Sequence, residues 1–175
     1  MYALFDAWQG VRDFMDQGGV VLYAIAILIF VMWTFIFERV WYFKTALNRD
    51  LDSALAAWEA RGERKSKRAH QVREALISRV SEQIDQFMPL IKTMVALAPL
   101  FGLLGTVTGM ISVFEIMAIT GGGDAKSMAG GVSKATIPTM AGLVAALSGV
   151  FGNTYITRIA ERERELLKDH LTTDH

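Results

Sequence analysis

Two charged side chains and two threonines stand inside long apolar runs of this sequence. Thr106 and Glu115 fall in one run, and Lys134 and Thr139 fall in the next. Each run has the ~20 mostly apolar residues that a helix needs to cross a bilayer. A charge inside a membrane is costly, so such a residue is a functional candidate by default. These four side chains are therefore the candidates for an ion or proton path.

The composition lacks several residue types and spacings that enzyme active sites use. The sequence contains no Cys, which excludes disulfides, thiol catalysis and thiolate metal sites. Its three histidines, His70, His170 and His175, are far apart in polar segments without metal-ligand spacing. The net charge is zero, and the basic stretch 61–68 has no aromatic platform for nucleic acid. We therefore expect no enzyme, no cofactor, no metal and no nucleic-acid partner.

Three apolar stretches predict three membrane spans. Span one is 20–37, and aromatic and basic residues such as Trp41 follow it, as they do at a membrane–water boundary. Span two is 93–119 and span three is 130–156, with a glycine-rich turn at 120–129 between them. The predicted fold class is an all-α membrane protein with three transmembrane helices and helical extensions outside the bilayer.

The polar segments predict the orientation. The loop 38–92 holds eleven of the eighteen Lys and Arg residues, and the tail 157–175 holds four. The N-terminal segment 1–19 and the turn 120–129 hold one each. Because basic residues stay in the cytoplasm, the loop and tail are predicted to be cytoplasmic, with the N-terminus and the turn outside. Like charges four residues apart in the helical tail indicate that it needs a partner helix.

The N-terminal segment 1–19 is predicted to be an amphipathic helix at the membrane interface. Phe5, Trp8, Val11 and Met15 recur at helical spacing. A secretory signal would have a positive start and a shorter apolar core, so we expect no cleavage.

Small residues recur at three- and four-residue steps along spans two and three. Such stripes let helices approach closely in lipid. Pro99 and Pro138 free a backbone carbonyl and bend their helices, which makes their surroundings candidates for an ion path. Three helices leave little interior for polar groups, so a homo-oligomer is predicted. The close-packing positions are Gly102, Gly105, Gly109, Gly142, Ala145, Ala146 and Gly149.

Antiparallel pairing of spans two and three gives a simple rule for depth. A residue of span two and a residue of span three lie at the same level when half the sum of their numbers falls within the turn between the spans. This rule pairs Glu115 with Lys134 and Thr106 with Thr139. Lys134 could snorkel to the headgroups, pair with Glu115, or face a pore and meet a partner's carboxylate. Pairing is our working hypothesis. The structural alternative for the threonines is a hydrogen bond to a carbonyl one turn earlier.

The motifs LAPLFGLLGTVTGM (97–110) and GGVSKATIPTMAGLVAAL (130–147) resemble the ExbB/TolQ/MotA family, and ExbB in a short form above all. The resemblance covers the three spans, the topology and the large cytoplasmic loop. It implies a bacterial inner-membrane pentamer around the single-span helices of a dimeric partner, ExbD for ExbB. It also implies that the proton-motive force drives TonB, which energises uptake through outer-membrane receptors, and that the N-terminus is periplasmic.

The resemblance assigns the two membrane threonines of the family to Thr106 and Thr139. The family usually carries a glutamate five residues before the second threonine, where this sequence has Lys134, while Glu115 occupies a position that is not normally acidic. We therefore expect a compensating Lys134–Glu115 pair, with an aspartate of the partner helix carrying the proton. The alternatives are a TolQ-like role in envelope integrity, a MotA-like motor role, or a passive membrane scaffold. An intramembrane enzyme lacks a nucleophile or metal set.

Overall fold

A computed structural model of the protein describes residues 2–60, 62, 66–121 and 125–171. The prediction for the centre of the glycine turn (122–124), part of the basic stretch (61 and 63–65) and His175 lies outside the described residues. The described chain forms helices and no β-strand, which confirms the predicted all-α class. The helices are α1 (Tyr2–Thr45), α2 (Leu47–Glu59), α3 (Lys67–Asp85), α4 (Met88–Thr120) and α5 (Ala125–His170).

Three helical stretches of the described chain are long and apolar enough to cross a membrane. They are Trp8–Thr45, Lys67–Ile119 and Met128–His170, and they contain the three predicted spans. The all-α membrane class is thereby confirmed. The residues at which each helix enters and leaves the bilayer stay a prediction.

The chain divides into two compact units, and each is described by itself. The first unit comprises Met1–Met32 and Thr93–Val150, and the second comprises Trp33–Lys92 and Phe151–His175. All four predicted polar site residues belong to the first unit.

The core of the first unit is built from small side chains on two helices and larger ones on the third. Ile25 of α1, Ala98 of α4 and Ala145 of α5 are fully buried against each other. Partly buried Phe101 and Ala146 pack around them. Lipid gives helices no hydrophobic drive to associate, so close contact of small residues supplies the attraction.

Helix α1 is interrupted at Gly19, where the predicted interfacial helix meets span one. The backbone of Gly19 has φ 65° and ψ −163°, a conformation that only glycine adopts without strain. Before Gly19, the side chains of Phe5, Trp8 and Val11 are 56% to 68% exposed. We call residues 2–18 the lead helix, and its uncovered aromatic side chains are typical of a helix at a membrane surface.

In the second unit, arginines join α3 to the end of α5. Arg73 Nη2 donates to the carbonyl of Lys168 at 3.1 Å, and its Nε donates to the carbonyl of Leu171. Arg164 forms an ion pair with Asp85. The charged tail therefore has α3 as its partner helix, as its like-charge pattern indicated.

Arg39, which follows predicted span one, is a buried arginine with hydrogen-bond and aromatic partners. It is 2% exposed, and both Nε and Nη2 lie 2.6 Å from the carboxylate oxygens of Glu38. Its Nη1 donates to the carbonyl of Gln83 at 2.9 Å. The guanidinium also lies 5.4 Å from the ring centroid of Phe87, whose backbone has a φ of 65° between α3 and α4. Arg39 therefore holds the junction of α3 and α4 in the second unit.

Replacing Arg39 by methionine is expected to lower the stability of the purified protein. Glu38 is 43% exposed and can be solvated, so the loss comes mainly from the carbonyl of Gln83, which loses its buried donor. A hydrogen bond to a charged group contributes about 1.5–3 kcal/mol. Thermal unfolding in detergent should show a lower Tm for Arg39→Met, whereas Arg49→Gln, at an exposed position of α2, should melt like the wild type. Equal melting of the two variants would contradict the assigned role of Arg39.

Candidate functional site

Thr106 of α4 and Thr139 of α5 meet in the first unit. Their hydroxyl oxygens are in hydrogen-bond contact with each other, and Thr139 Oγ1 donates to the carbonyl of Gly102 at 2.9 Å. Thr106 Oγ1 also lies 3.4 Å from the same carbonyl, one turn earlier on its own helix. The two hydroxyls have two protons for three contacts, so Thr106 can donate either to Thr139 or to Gly102. We call Thr106, Thr139 and the Gly102 carbonyl the hydroxyl cluster.

The hydroxyl cluster exists because α4 and α5 approach each other backbone to backbone. A Cβ atom on Gly102 would lie 2.9 Å from the Cα of Thr139 and 3.0 Å from the carbonyl oxygen of Pro138. A Cβ on Gly142 would lie 2.6 Å from the carbonyl oxygen of Ala98. Any larger side chain would separate the helices, so these glycines allow the short Thr139 side chain to reach a carbonyl of the other helix.

The same close approach continues on the side of the cluster toward the turn between α4 and α5. Gly105 faces the ring of Pro138, and a Cβ on Gly109 would lie 2.7 Å from the Cβ of Ala135. Both α4 and α5 continue through their prolines as helices. Because Pro138 has no N–H, the carbonyl of Lys134, one turn earlier, lacks its helical donor.

At the other end of the first unit, Gly149 lies against two helices. A Cβ there would lie 2.6 Å from the sulfur of Met32 on α1 and 2.7 Å from Val95 Cγ2 on α4. The neighbouring predicted positions Ala145 and Ala146 belong to the core described above. All the predicted small-residue positions therefore lie at or beside helix contacts.

The structure does not bring Glu115 and Lys134 together. Within the described chain the ion pairs are Arg39–Glu38 and Arg164–Asp85, and both Glu115 and Lys134 have exposed side chains. The described residues of this chain therefore do not form the expected compensating pair.

The reason is the register of the helices. Gly109 lies opposite Ala135, and Val113 contacts Gly131, which places a position near residue 129 opposite Glu115. Lys134 is then five residues away, about 7 Å along the axis at ~1.5 Å per residue. The same register places Thr106 within two residues of the level of Thr139, which is close enough for direct contact.

Lys134 instead lines a cavity in the first unit. The cavity has a volume of about 590 Å³ and lies between α1, α4 and α5. Its polar lining, besides Lys134, consists of Gln17, Thr108 and Ser112, three residues that the sequence analysis did not single out. Thr108 and Ser112 are four residues apart on α4, and Gly105 and Gly109 lie on the same turns. Because residues three or four apart are neighbours on a helix, this spacing could have indicated a shared surface.

The hydroxyls of Thr108 and Ser112 differ from those of the hydroxyl cluster. Thr108 donates to the carbonyls of Leu104 and Gly105 at 3.0 and 3.1 Å, and Ser112 donates to the carbonyl of Thr108 at 3.2 Å. These bonds stay within α4, whereas Thr139 bonds to another helix. Thr106 and Thr139 thus contact each other between helices.

Comparison with known proteins gives a family match that includes Thr106 and Thr139. Residues 42–169 match the model of the MotA/TolQ/ExbB proton channel family, which is a transport family rather than an enzyme family.

Individual proteins that are similar to this chain have names from the same family. The chain is 49% identical over 61 residues to ExbB-like biopolymer transport protein 1 of Synechocystis sp., covering 33% of this chain and 24% of that protein. It is 34% identical over 83 residues to the biopolymer transport protein ExbB of Xanthomonas campestris, covering 47% of this chain and 33% of that protein. The matches thus span only about a quarter to a third of these two relatives. With nearly three quarters of the chain within the family match and three helices able to span a bilayer, this multi-pass membrane protein belongs to the MotA/TolQ/ExbB proton channel family.

Proposed function

We propose that the protein is the proton-channel subunit of an ExbB–ExbD-like motor in the bacterial inner membrane. In this role the proton-motive force energises a TonB-like protein, which in turn drives transport at the outer membrane. The N-terminus is periplasmic, and the loop 38–92 and the tail are cytoplasmic. The observation that carries the proposal is the hydroxyl cluster, held between two close-packed helices of a proton channel family member.

The hydroxyl cluster has the chemistry that a proton path requires. A threonine hydroxyl can donate and accept at once, so it can hydrogen-bond water or a carboxylate in either protonation state. Thr106 and Thr139 are half-buried rather than sealed, so one side of the cluster is open to a visiting group. The proton carrier in this proposal is a carboxylate on the membrane helix of the partner, an ExbD-like dimer.

The uncovered apolar surface supports a homo-oligomer. On α4, Leu103, Val107 and Phe114 are each more than half exposed, and on α5 Val144 and Phe151 are more exposed still. Lipid covers part of this surface, and further copies of the chain around a shared axis cover the rest. By resemblance, the assembly is a pentamer.

Energetically, such a motor needs few protons. One elementary charge that crosses the membrane potential yields about 2.3 kcal/mol per 100 mV. A few protons can therefore move a partner helix whose contacts are worth a few kcal/mol. In this proposal, apolar side chains around the cluster limit leakage while the partner carboxylate is absent or charged.

A flux assay tests this proposal. The full chain is reconstituted into vesicles that contain a pH-sensitive dye, alone and with a co-expressed single-span partner, and a potassium diffusion potential is applied. We expect inward proton flux above that of empty vesicles only when the partner is present. Flux equal to that of empty vesicles in both preparations would mean a passive scaffold.

Complementation separates the roles within the family. A strain that lacks its own ExbB and needs TonB-dependent uptake to grow should grow when it expresses this chain with its partner. Rescue of a TolQ-deficient or MotA-deficient strain instead would assign the chain to envelope integrity or to flagellar drive.

A further inference from the structure

The cavity beside Lys134, described above, is separate from the hydroxyl cluster. Its apolar wall includes Val21, Val113 and Pro138, and its one charged group among the described residues is the ammonium of Lys134. Thr108 and Ser112 use their protons within α4, so they present only oxygen lone pairs to the cavity. An occupant therefore meets an apolar surface, the polar residue Gln17 and one cation. This combination fits an amphipathic molecule with a negative charge at one end.

The lead helix indicates the depth of the cavity in the bilayer. The exposed aromatic side chains Phe5 and Trp8 are typical of a helix that lies along the headgroups. The bend at Gly19 joins this helix to span one, and residues Gln17 to Val21 line the cavity. With the lead helix along the headgroups, as its sequence predicts, the cavity opens at the headgroup level with its apolar part directed along the spans.

Lys134 is available to bind an anion. It forms no ion pair with any described residue, and Glu115, the nearest acidic residue in predicted spans two and three, does not line the cavity. An ammonium at the headgroup level binds phosphate oxygens through charge-assisted hydrogen bonds.

The size of the cavity suits part of a lipid, such as a phosphate and one acyl chain, rather than a whole membrane helix. Its volume of about 590 Å³ lies within the 300–1,000 Å³ range of small-molecule sites. A helix about 10–12 Å across occupies about 400–600 Å³ per turn, so the cavity accommodates a single turn at most. We propose that this cavity binds one phospholipid, with its phosphate on the Lys134 ammonium and an acyl chain along the apolar wall. The site would hold span one against α4 and α5 at the bend, independently of the proposed proton path.

Lipid binding to the purified full chain tests the proposal. Delipidated protein in detergent is titrated with phosphatidylglycerol, and bound lipid is counted by native mass spectrometry. Lys134→Gln should weaken binding about tenfold, the effect of losing one charge-assisted hydrogen bond, whereas Lys134→Arg should bind like the wild type. Ser112→Leu, which fills the cavity from α4, should also weaken binding. Lys92→Gln removes an exposed charge of α4 outside the cavity and should change nothing.

Two further probes identify the part of the lipid that binds. Diacylglycerol, which lacks the phosphate, should bind wild-type protein about as weakly as phosphatidylglycerol binds Lys134→Gln. Inorganic phosphate should not displace the lipid. Unchanged phosphatidylglycerol affinity in Lys134→Gln with a wild-type circular dichroism spectrum would overturn the proposal. So would equal affinity for diacylglycerol, or displacement by inorganic phosphate, which would indicate a site for a soluble anion.

Discussion

Replacing Thr139 by valine is expected to reduce partner-dependent proton flux at least about tenfold. Valine keeps the shape of threonine but removes the hydroxyl that bonds both Thr106 and the carbonyl of Gly102. A hydrogen bond to a charged or proton-carrying group contributes about 1.5–3 kcal/mol, which corresponds to about tenfold or more in rate. Flux into vesicles that contain the chain and its partner, under the same applied potential, is the measurement.

Two matched variants make the Thr139 result specific. Thr139→Ser retains the hydroxyl and should retain most of the flux. Thr136→Val, one turn earlier on α5, removes an exposed hydroxyl that donates to the carbonyl of Ser133 at 2.7 Å, and it should behave like the wild type. If Thr139→Val carries wild-type flux, the hydroxyl cluster is not part of the proton path, even if the protein proves to be a channel.

Replacing Gly142 by alanine is expected to be the most damaging single-methyl change in α5. The new Cβ would lie 2.6 Å from the carbonyl oxygen of Ala98 and 3.0 Å from the Cα of Gly102. Both are backbone atoms, so no side-chain rotation can relieve the contact and the two helices must separate. Overpacking of a close contact costs about 1–3 kcal/mol, and here the hydroxyl cluster also loses its geometry. The Tm in detergent and the yield of assembled particles should both fall.

Two other glycines of α5 provide control substitutions for this prediction. At Gly149 the new Cβ would meet the side chains of Met32 and Val95, which can shift, so Gly149→Ala should lower the Tm less than Gly142→Ala. At Gly130 nothing lies within 4 Å of the new Cβ, so Gly130→Ala should be neutral or slightly stabilising. A Tm of Gly142→Ala equal to that of Gly130→Ala would contradict the backbone-to-backbone contact of α4 and α5.

The two predicted polar pairs show how accurately residue numbers alone give the relative depth of side chains on two antiparallel helices. Equal rise along both helices placed Thr106 beside Thr139, and the structure brings their hydroxyls together. The same arithmetic placed Glu115 beside Lys134, but these two described residues form no ion pair with each other within the chain. A hairpin midpoint can be estimated from the turn, but an error of a few residues moves a pair by several ångströms. Only the glycine and alanine contacts set the actual register.

Apolar runs of about twenty residues or more, with every charge except Glu115 and Lys134 outside them, determined by themselves that this chain is helical and membrane-spanning. A continuous apolar run of this length satisfies its backbone hydrogen bonds in a bilayer as a helix. The motifs around Thr106 and Thr139 likewise indicated the family. The tertiary structure decided that Thr139 reaches a carbonyl on the other helix, that Lys134 faces a cavity rather than Glu115, and that the buried Arg39 donates to the carbonyl of Gln83 on α3. These outcomes depend on distances of an ångström or two between helices, which side-chain shape at each contact determines and hydrophobic periodicity does not encode.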